Sequence, residues 1–262
     1  MSTKPIGIFD SGVGGISIWK EIVTLLPHEN TLYLADSKNA PYGLKSKNDI
    51  LQLCVKNTEA LLKANVKIIV VACNTATTNA ISYLRQTYSI PFIGIEPAIK
   101  PAALQSKTRV IGVLATRGTL TSSLFSKTSG FFTEETKIIE AEGNGLVELI
   151  ENDNLHSAAT FDLLKLYLNP LIEANIDHLV LGCSHYPFLI PIIKKIVPPT
   201  VTIIDSGEAV ARQTKNVLRT SNLLNLYSSM PDYMFYTNGN ETTLRSILSS
   251  ESLEKKIEKF NF

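Results

Sequence analysis

The 262-residue chain is long enough for one large or two medium domains, and its 44% hydrophobic and 19% charged residues are typical of a globular protein. A formal net charge of +1 argues against nucleic acid or an anionic membrane as a partner, because proteins that bind either usually carry an excess of Lys and Arg. No apolar run approaches roughly 18 residues, and the N-terminus lacks a signal-peptide layout, so we expect a cytoplasmic protein without membrane contact. Its three cysteines, Cys54, Cys73 and Cys183, should then be free thiols.

The first predicted strand, Ile6 to Phe9, leads into the glycine-rich turn Asp10-Ser11-Gly12-Val13-Gly14-Gly15 and a helix from Ile16 to Leu26. Strand, glycine-rich turn and helix open an α/β unit, and such turns often bind the phosphates of a dinucleotide. The spacing of these glycines is not that of the dinucleotide motif, and the Asp10 carboxylate would repel a pyrophosphate. The sequence therefore disfavours a nucleotide site.

Four strands alternate with helices in the first 97 residues, which indicates a parallel, doubly wound sheet. The second strand, 31–36, is followed by the turn Pro41-Tyr42-Gly43, and the third, 67–72, leads directly to Cys73. A cysteine at a strand end and helix start lies where open α/β sheets bind ligands and where the thiol pKa is lowered. Cys54, on the apolar face of the predicted helix 47–64, is instead expected to be an inert core residue.

The pattern then repeats along the chain. Features that match in the same order at a nearly constant offset indicate an internal duplication. The matching pairs are Gly7 and Gly112, Cys73 and Cys183, and Glu96 and Asp205.

We therefore predict an α/β protein with two pseudo-symmetric, doubly wound parallel-sheet domains and an active site in the cleft between them. The first domain would comprise residues 1–97 plus 208–262, and the second residues 98–207. The last segment would return to the first domain with a helix over 209–219, a strand over 233–237 and a final amphipathic helix.

Two cysteines at equivalent strand ends of facing domains would lie on opposite walls of one cleft. Opposed thiols can remove a proton from one face of a carbon and return one to the other, which is two-base racemisation. A thiolate acts as a base when neighbouring groups tune its pKa. Asp10, His185 and Glu151 are the candidates for that tuning.

Other interpretations of the cysteines explain less of the pattern. A metal site would need more clustered ligands than His185 beside Cys183. A cysteine hydrolase based on that pair would leave Cys73 and the duplication unexplained. Two inert core cysteines would be expected inside the apolar runs, whereas both stand where the runs end.

Four motifs over residues 5–213 resemble signatures of the glutamate racemase family, within the cofactor-independent aspartate/glutamate racemases, and occur in the family's order. They are Asp10-Ser11-Gly12-Val13-Gly14-Gly15, Ala40-Pro41-Tyr42-Gly43, Ala72-Cys73-Asn74-Thr75-Ala76 and Gly182-Cys183-Ser184-His185-Tyr186-Pro187. In one departure, Ser184 stands where the family commonly has Thr.

The resemblance implies an isomerase that interconverts L- and D-glutamate and supplies D-glutamate for bacterial peptidoglycan, and hence for cell wall biogenesis and cell shape. It implies no pyridoxal phosphate, other cofactor or metal, and a homodimer. Cys73 and Cys183 would exchange the proton, with Asp10, His185 and Glu151 as further catalytic residues. The residues implied in substrate binding are Asp10, Ser11, Pro41, Tyr42, Gly43, Asn74, Thr75, Thr116, Thr119, Ser184 and His185.

Two alternatives remain open from the sequence. One is a racemase for aspartate or another acidic amino acid, because one methylene changes binding by only about 1–3 kcal/mol. The other is an α/β binding protein for an acidic ligand, which would need neither thiol.

Overall fold

The computed structural model describes residues 2–132, 135–227, 230–249, 251 and 253–260. The strands are β1 Ile6–Asp10, β2 Thr31–Ala35, β3 Ile68–Val71, β4 Phe92–Gly94, β5 Val110–Ala115, β6 Lys137–Glu142, β7 His178–Gly182, β8 Thr202–Ile204, β9 Tyr233–Thr237 and β10 Lys256–Lys259. The helices are α1 Ile16–Leu25, α2 Lys47–Lys63, α3 Asn74–Thr87, α4 Ile99–Gln105, α5 Arg117–Leu120, α6 Ser123–Gly130, α7 Leu146–Glu151, α8 Ala158–Glu173, α9 Ile190–Ile193, α10 Gly207–Thr220 and α11 Glu241–Leu248. None of the helices in the described residues is both long and apolar enough to cross a membrane.

In the described residues the strands form two sheets, and all of their pairings are parallel. The first sheet has the order β10-β9-β2-β1-β3-β4, and the second has the order β6-β5-β7-β8. The order β2-β1-β3-β4 thus recurs as β6-β5-β7-β8. This arrangement confirms the predicted α/β class with two parallel sheets and agrees with an internal duplication.

The duplication extends to the turns that lead into the two cysteine-bearing strands. Asn65 and Asn175, 110 residues apart, both have left-handed backbone, with φ of 59° and 60°. Asparagine tolerates this conformation better than most residues and often ends a helix in it. In each turn the next residue donates its amide to a helix carbonyl at 3.4 Å, from Val66 to Leu61 and from Ile176 to Leu171.

The first sheet is built from both ends of the chain. Strand β9 pairs with β2, strand β10 pairs with β9, and α10 packs against α1. The predicted domain boundaries near residues 97 and 207 stay a prediction, and residues 1, 133–134, 228–229, 250, 252 and 261–262 of those domains lie outside the described residues. The expected final helix corresponds to α11, but the strand β10 follows it, an element that the sequence pattern did not indicate.

The carboxyl ends of the central strands carry the predicted functional residues. Asp10 ends β1, Cys73 follows β3, Thr116 follows β5 and Cys183 follows β7. The first half of the molecule is built on the sheet β10-β9-β2-β1-β3-β4, and the second half on the sheet β6-β5-β7-β8. Because parallel strands end at the same edge of a sheet, each half presents one cysteine at the edge that faces the other half.

Candidate active site

Cys73 occupies the N-cap position of α3. Its sulfur accepts a hydrogen bond from the Ala76 amide at 3.4 Å, and its thiol donates to the Ser11 hydroxyl at 3.6 Å. Burial and the nearby Asp10 carboxylate nevertheless raise the pKa of the thiol, because they outweigh the lowering effect of Ala76 and Ser11. The expectation that the helix N-terminus lowers the pKa of Cys73 is therefore wrong, and the group is a protonated thiol.

Cys183 has a different environment, since a short 3-10 turn follows it in place of a long helix. Its sulfur lies 3.8 Å from Nδ1 of His185, and Nε2 of that ring lies 2.6 Å from Oε1 of Glu151. Burial lowers the pKa of His185, but the contacts with Cys183 and Glu151 raise it more, to well above its usual range. The raised pKa favours the imidazolium form of a ring that lies between a thiol and a carboxylate.

Asp10 is fully buried and connects the two halves. Its carboxylate accepts hydrogen bonds from the Gly12 and Gly15 amides, both at 3.1 Å, and from the Ser184 hydroxyl at 3.0 Å. Burial raises the pKa of Asp10, and the neighbouring His185 opposes that rise. The predicted residues Asp10, Ser184 and His185 thus form one continuous polar cluster.

Side chains of the second half pack directly against the glycine-rich turn, and amides of the turn donate hydrogen bonds to carboxylates. A Cβ at Gly12 would overlap the Glu151 carboxylate, and a Cβ at Gly14 would overlap the His185 ring. The Val13 amide donates to Oε1 of Glu151 at 2.7 Å. These glycines therefore permit the close approach of the His185–Glu151 pair.

A cluster of hydroxyls joins the halves beside Cys73. Oγ1 of Thr75 lies 2.8 Å from that of Thr116 and 3.2 Å from that of Thr119. Next to Thr75, the side-chain amide of Asn74 is buried, and neither its nitrogen nor its oxygen has a hydrogen-bond partner in the described residues. Unpaired buried amides are costly, so this group is suited to a polar ligand.

The Pro41-Tyr42-Gly43 turn lies at the rim of the cluster. The Tyr42 hydroxyl donates to Asp36, a buried carboxylate that the sequence pattern did not indicate. Gly43 packs against Thr116 across the two halves. Pro41 and Glu151 line a cavity of roughly 240 Å³.

Ser17 is a second residue that the sequence pattern did not reveal. Its hydroxyl donates to the Ser184 carbonyl at 2.9 Å and so holds the backbone beside Cys183 against α1. The only signal available in sequence was its place two positions after the glycine-rich motif. In the described residues, no group of three or more His, Cys, Asp or Glu side chains could hold a metal ion.

A sequence model described as Asp/Glu/Hydantoin racemase matches residues 6–214. The chain belongs to this racemase family. It is 43% identical to a glutamate racemase of Herpetosiphon aurantiacus over 254 residues, which cover 97% of this chain and 100% of that protein.

Solved racemase structures share the fold. A glutamate racemase from Bacillus anthracis is 31% identical with a TM-score of 0.89, covering 100% of this chain and 99% of that one. One from Escherichia coli, in complex with L-glutamate and the activator UDP-MurNAc-Ala, is 32% identical with a TM-score of 0.86 and 98% coverage of both chains. These findings confirm the predicted family resemblance, the fold with two parallel-sheet domains and the isomerase class.

Substituting Gly14→Ala tests the close approach of the two halves. The added methyl group would overlap the His185 ring, so we expect a loss of about 1–3 kcal/mol in the free energy of unfolding, as for other overpacked sites. Urea denaturation measures it. Gly130→Ala is the matched control, because a Cβ there meets no atom within 4 Å. Equal stability of both variants would contradict the contact.

Substituting Glu151→Gln tests the origin of the His185 charge. Loss of the carboxylate should lower the pKa of His185, so the ring should lose its proton at a lower pH than in the wild type. NMR titration of ¹⁵N-labelled histidine measures this. Glu148→Gln, on the same helix, should leave the titration unchanged; an unchanged titration in Glu151→Gln would contradict the pairing.

Proposed function

We propose that the protein is a glutamate racemase that works by two-base proton transfer between Cys73 and Cys183. The observation that carries this proposal is one buried cluster with a thiol from each half, each thiol having its own polar partners. Cys183 is also close enough to raise the pKa of Cys73. The E. coli relative in complex with L-glutamate supports the choice of substrate.

The polar groups around the thiols suit a small dicarboxylic amino acid. The Asn74 amide and the hydroxyls of Thr75, Thr116 and Thr119 supply neutral hydrogen-bond donors for a carboxylate. The Asp10 carboxylate supplies an acceptor for the ammonium group. Ser11 and Ser184 add hydroxyls next to the two thiols.

Proton transfer would proceed as follows. A thiolate at Cys183, stabilised by the His185 imidazolium, takes the α-proton of one enantiomer, so the Cα–H bond breaks and an S–H bond forms. The electron pair left on Cα is delocalised into the adjacent carboxylate. The protonated Cys73 thiol then donates its proton to the opposite face of Cα, which inverts the centre. The other enantiomer uses the same groups in reverse.

Access to this cluster requires the halves to separate. Cys73 and Cys183 are only 4% and 7% exposed, and the contacts of Ser184 and Glu151 with the first half join the two halves beside them. Substrate would therefore enter before those contacts form, and their closure would exclude water from the thiols.

The wider biological setting is also part of the proposal. The D-glutamate produced would supply bacterial peptidoglycan, in a cytoplasmic enzyme that acts as a homodimer and needs no cofactor. Support for this setting comes from the motif resemblance to glutamate racemases.

The substitutions Cys73→Ser and Cys183→Ser test the mechanism. Each should lower the racemisation rate of glutamate by at least about 10³-fold, because a serine hydroxyl is a far weaker acid than a thiol and forms its anion much less readily. Circular dichroism follows the rate from each enantiomer, and NMR in D2O follows exchange of the α-proton. Cys54→Ser, at a buried cysteine outside the cluster, is the control and should retain activity.

Normal turnover in either active-site variant would refute the two-thiol mechanism. Faster turnover of aspartate than of glutamate by the wild type would refute the proposed substrate.

A further inference from the structure

Glu151 is the last residue of α7, a helix too short to be stable on its own. Helix α7 has six residues and ends where Asp153 adopts a left-handed backbone with φ of 58°. Helices of this length depend on outside contacts for their stability. The position of the Glu151 carboxylate must therefore be fixed by groups beyond α7.

The backbone bonds at this helix end leave one carbonyl for an outside donor. The amides of Asn152, Asp153 and Asn154 donate to the carbonyls of Glu148, Ile150 and Leu149. The carbonyl of Glu151 accepts instead from the hydroxyl of Thr243, at 2.9 Å. Carbonyls at a helix C-terminus lack partners within the helix, so this hydroxyl satisfies a group that would otherwise be unpaired.

Thr243 belongs to α11, which lies between β9 and β10 along the chain and packs against β10 of the first sheet. Leu244 and Leu248 of α11 are fully buried in the core, and Thr243 is 3% exposed. One turn after Thr243, the Ser246 hydroxyl donates to the Asp153 carboxylate at 3.0 Å. Helix α11 therefore holds the end of α7 at two points.

We propose that Thr243, assisted by Ser246, is a positioning residue that fixes the Glu151 carboxylate against His185 and thereby supports proton transfer at Cys183. The proposal rests on the proposed racemase function. The Val13 amide binds the carboxylate of Glu151, and the Thr243 hydroxyl binds its backbone carbonyl. Glu151 is therefore held at both its side chain and its backbone. Residue 243 lies beyond the matched family segment, which ends at residue 214.

The chain offers matched variants for the test. Thr243→Val keeps the shape of the side chain and removes the hydroxyl, whereas Thr243→Ser keeps the hydroxyl. Thr242→Val makes the same chemical change at the neighbouring exposed position. We expect kcat for glutamate to fall about tenfold in Thr243→Val, with KM nearly unchanged, because small misplacements of catalytic groups are costly. Thr243→Ser and Thr242→Val should stay near the wild-type value.

Isotope effects separate a defect at one thiol from general damage. Loosening Glu151 should slow the steps at Cys183 and spare those at Cys73. With α-deuterated glutamate, the isotope effect on kcat/KM should therefore rise for the enantiomer that Cys183 deprotonates and fall for the other. Thermal unfolding of each variant checks that the fold is intact.

Wild-type turnover and isotope effects in Thr243→Val would overturn the proposal. So would an isotope effect that changes in the same direction and by the same amount for both enantiomers, or the same defect in Thr242→Val. Should Thr243→Val fail to fold, Ser246→Ala carries the test, with a smaller change of the same sign expected and no change overturning the proposal. A wild-type protein that does not racemise glutamate would refute the proposed function itself, which distinguishes the two failures.

Discussion

Oε1 of Glu151 accepts two hydrogen bonds, one from the Val13 amide at 2.7 Å and one from the His185 ring at 2.6 Å. A largely buried carboxylate is stable only when such contacts replace the water it has lost, and charged hydrogen bonds are the strong ones. Because one donor belongs to the first half and the other to the second, this oxygen fixes how closely the halves approach. The absence of side chains at Gly12 and Gly14 makes that separation possible.

The two halves share a backbone plan but differ in chemistry at their cysteines. The turns at Asn65 and Asn175 and the strand orders agree closely, so the two thiols occupy equivalent strand ends. After the cysteines the two halves differ in structure. Helix α3 follows Cys73, whereas a short 3-10 turn with His185 at its start follows Cys183. The result is a neutral thiol on one wall and an imidazolium beside the thiol on the other. A duplicated scaffold thus places two thiols in different electrostatic environments.

Much of this arrangement could be predicted from sequence, because strand periodicity, the cysteine spacing and the motifs are local signals. The prediction failed where distant groups decide the outcome. The pKa of Cys73 depends on burial and on Asp10, neither of which its place at a helix start reveals. Likewise, the role of Gly14 depends on a histidine 171 positions later. Strand β10 was missed because Lys256–Lys259 is a charged edge strand with little apolar pattern, a composition typical of protected edges.

The pairing of β2 with β9 has a consequence for the order in which the molecule assembles. Thr31 pairs with Tyr233, so the first sheet joins segments separated by the whole second half. Contacts of such long range form slowly, because the chain must first close a large loop. The second sheet, which spans one continuous segment, is free of that delay during synthesis. We therefore expect a nascent chain to carry a folded second half while the first sheet still lacks its last strands, so the catalytic cleft would be the last part of the protein to mature.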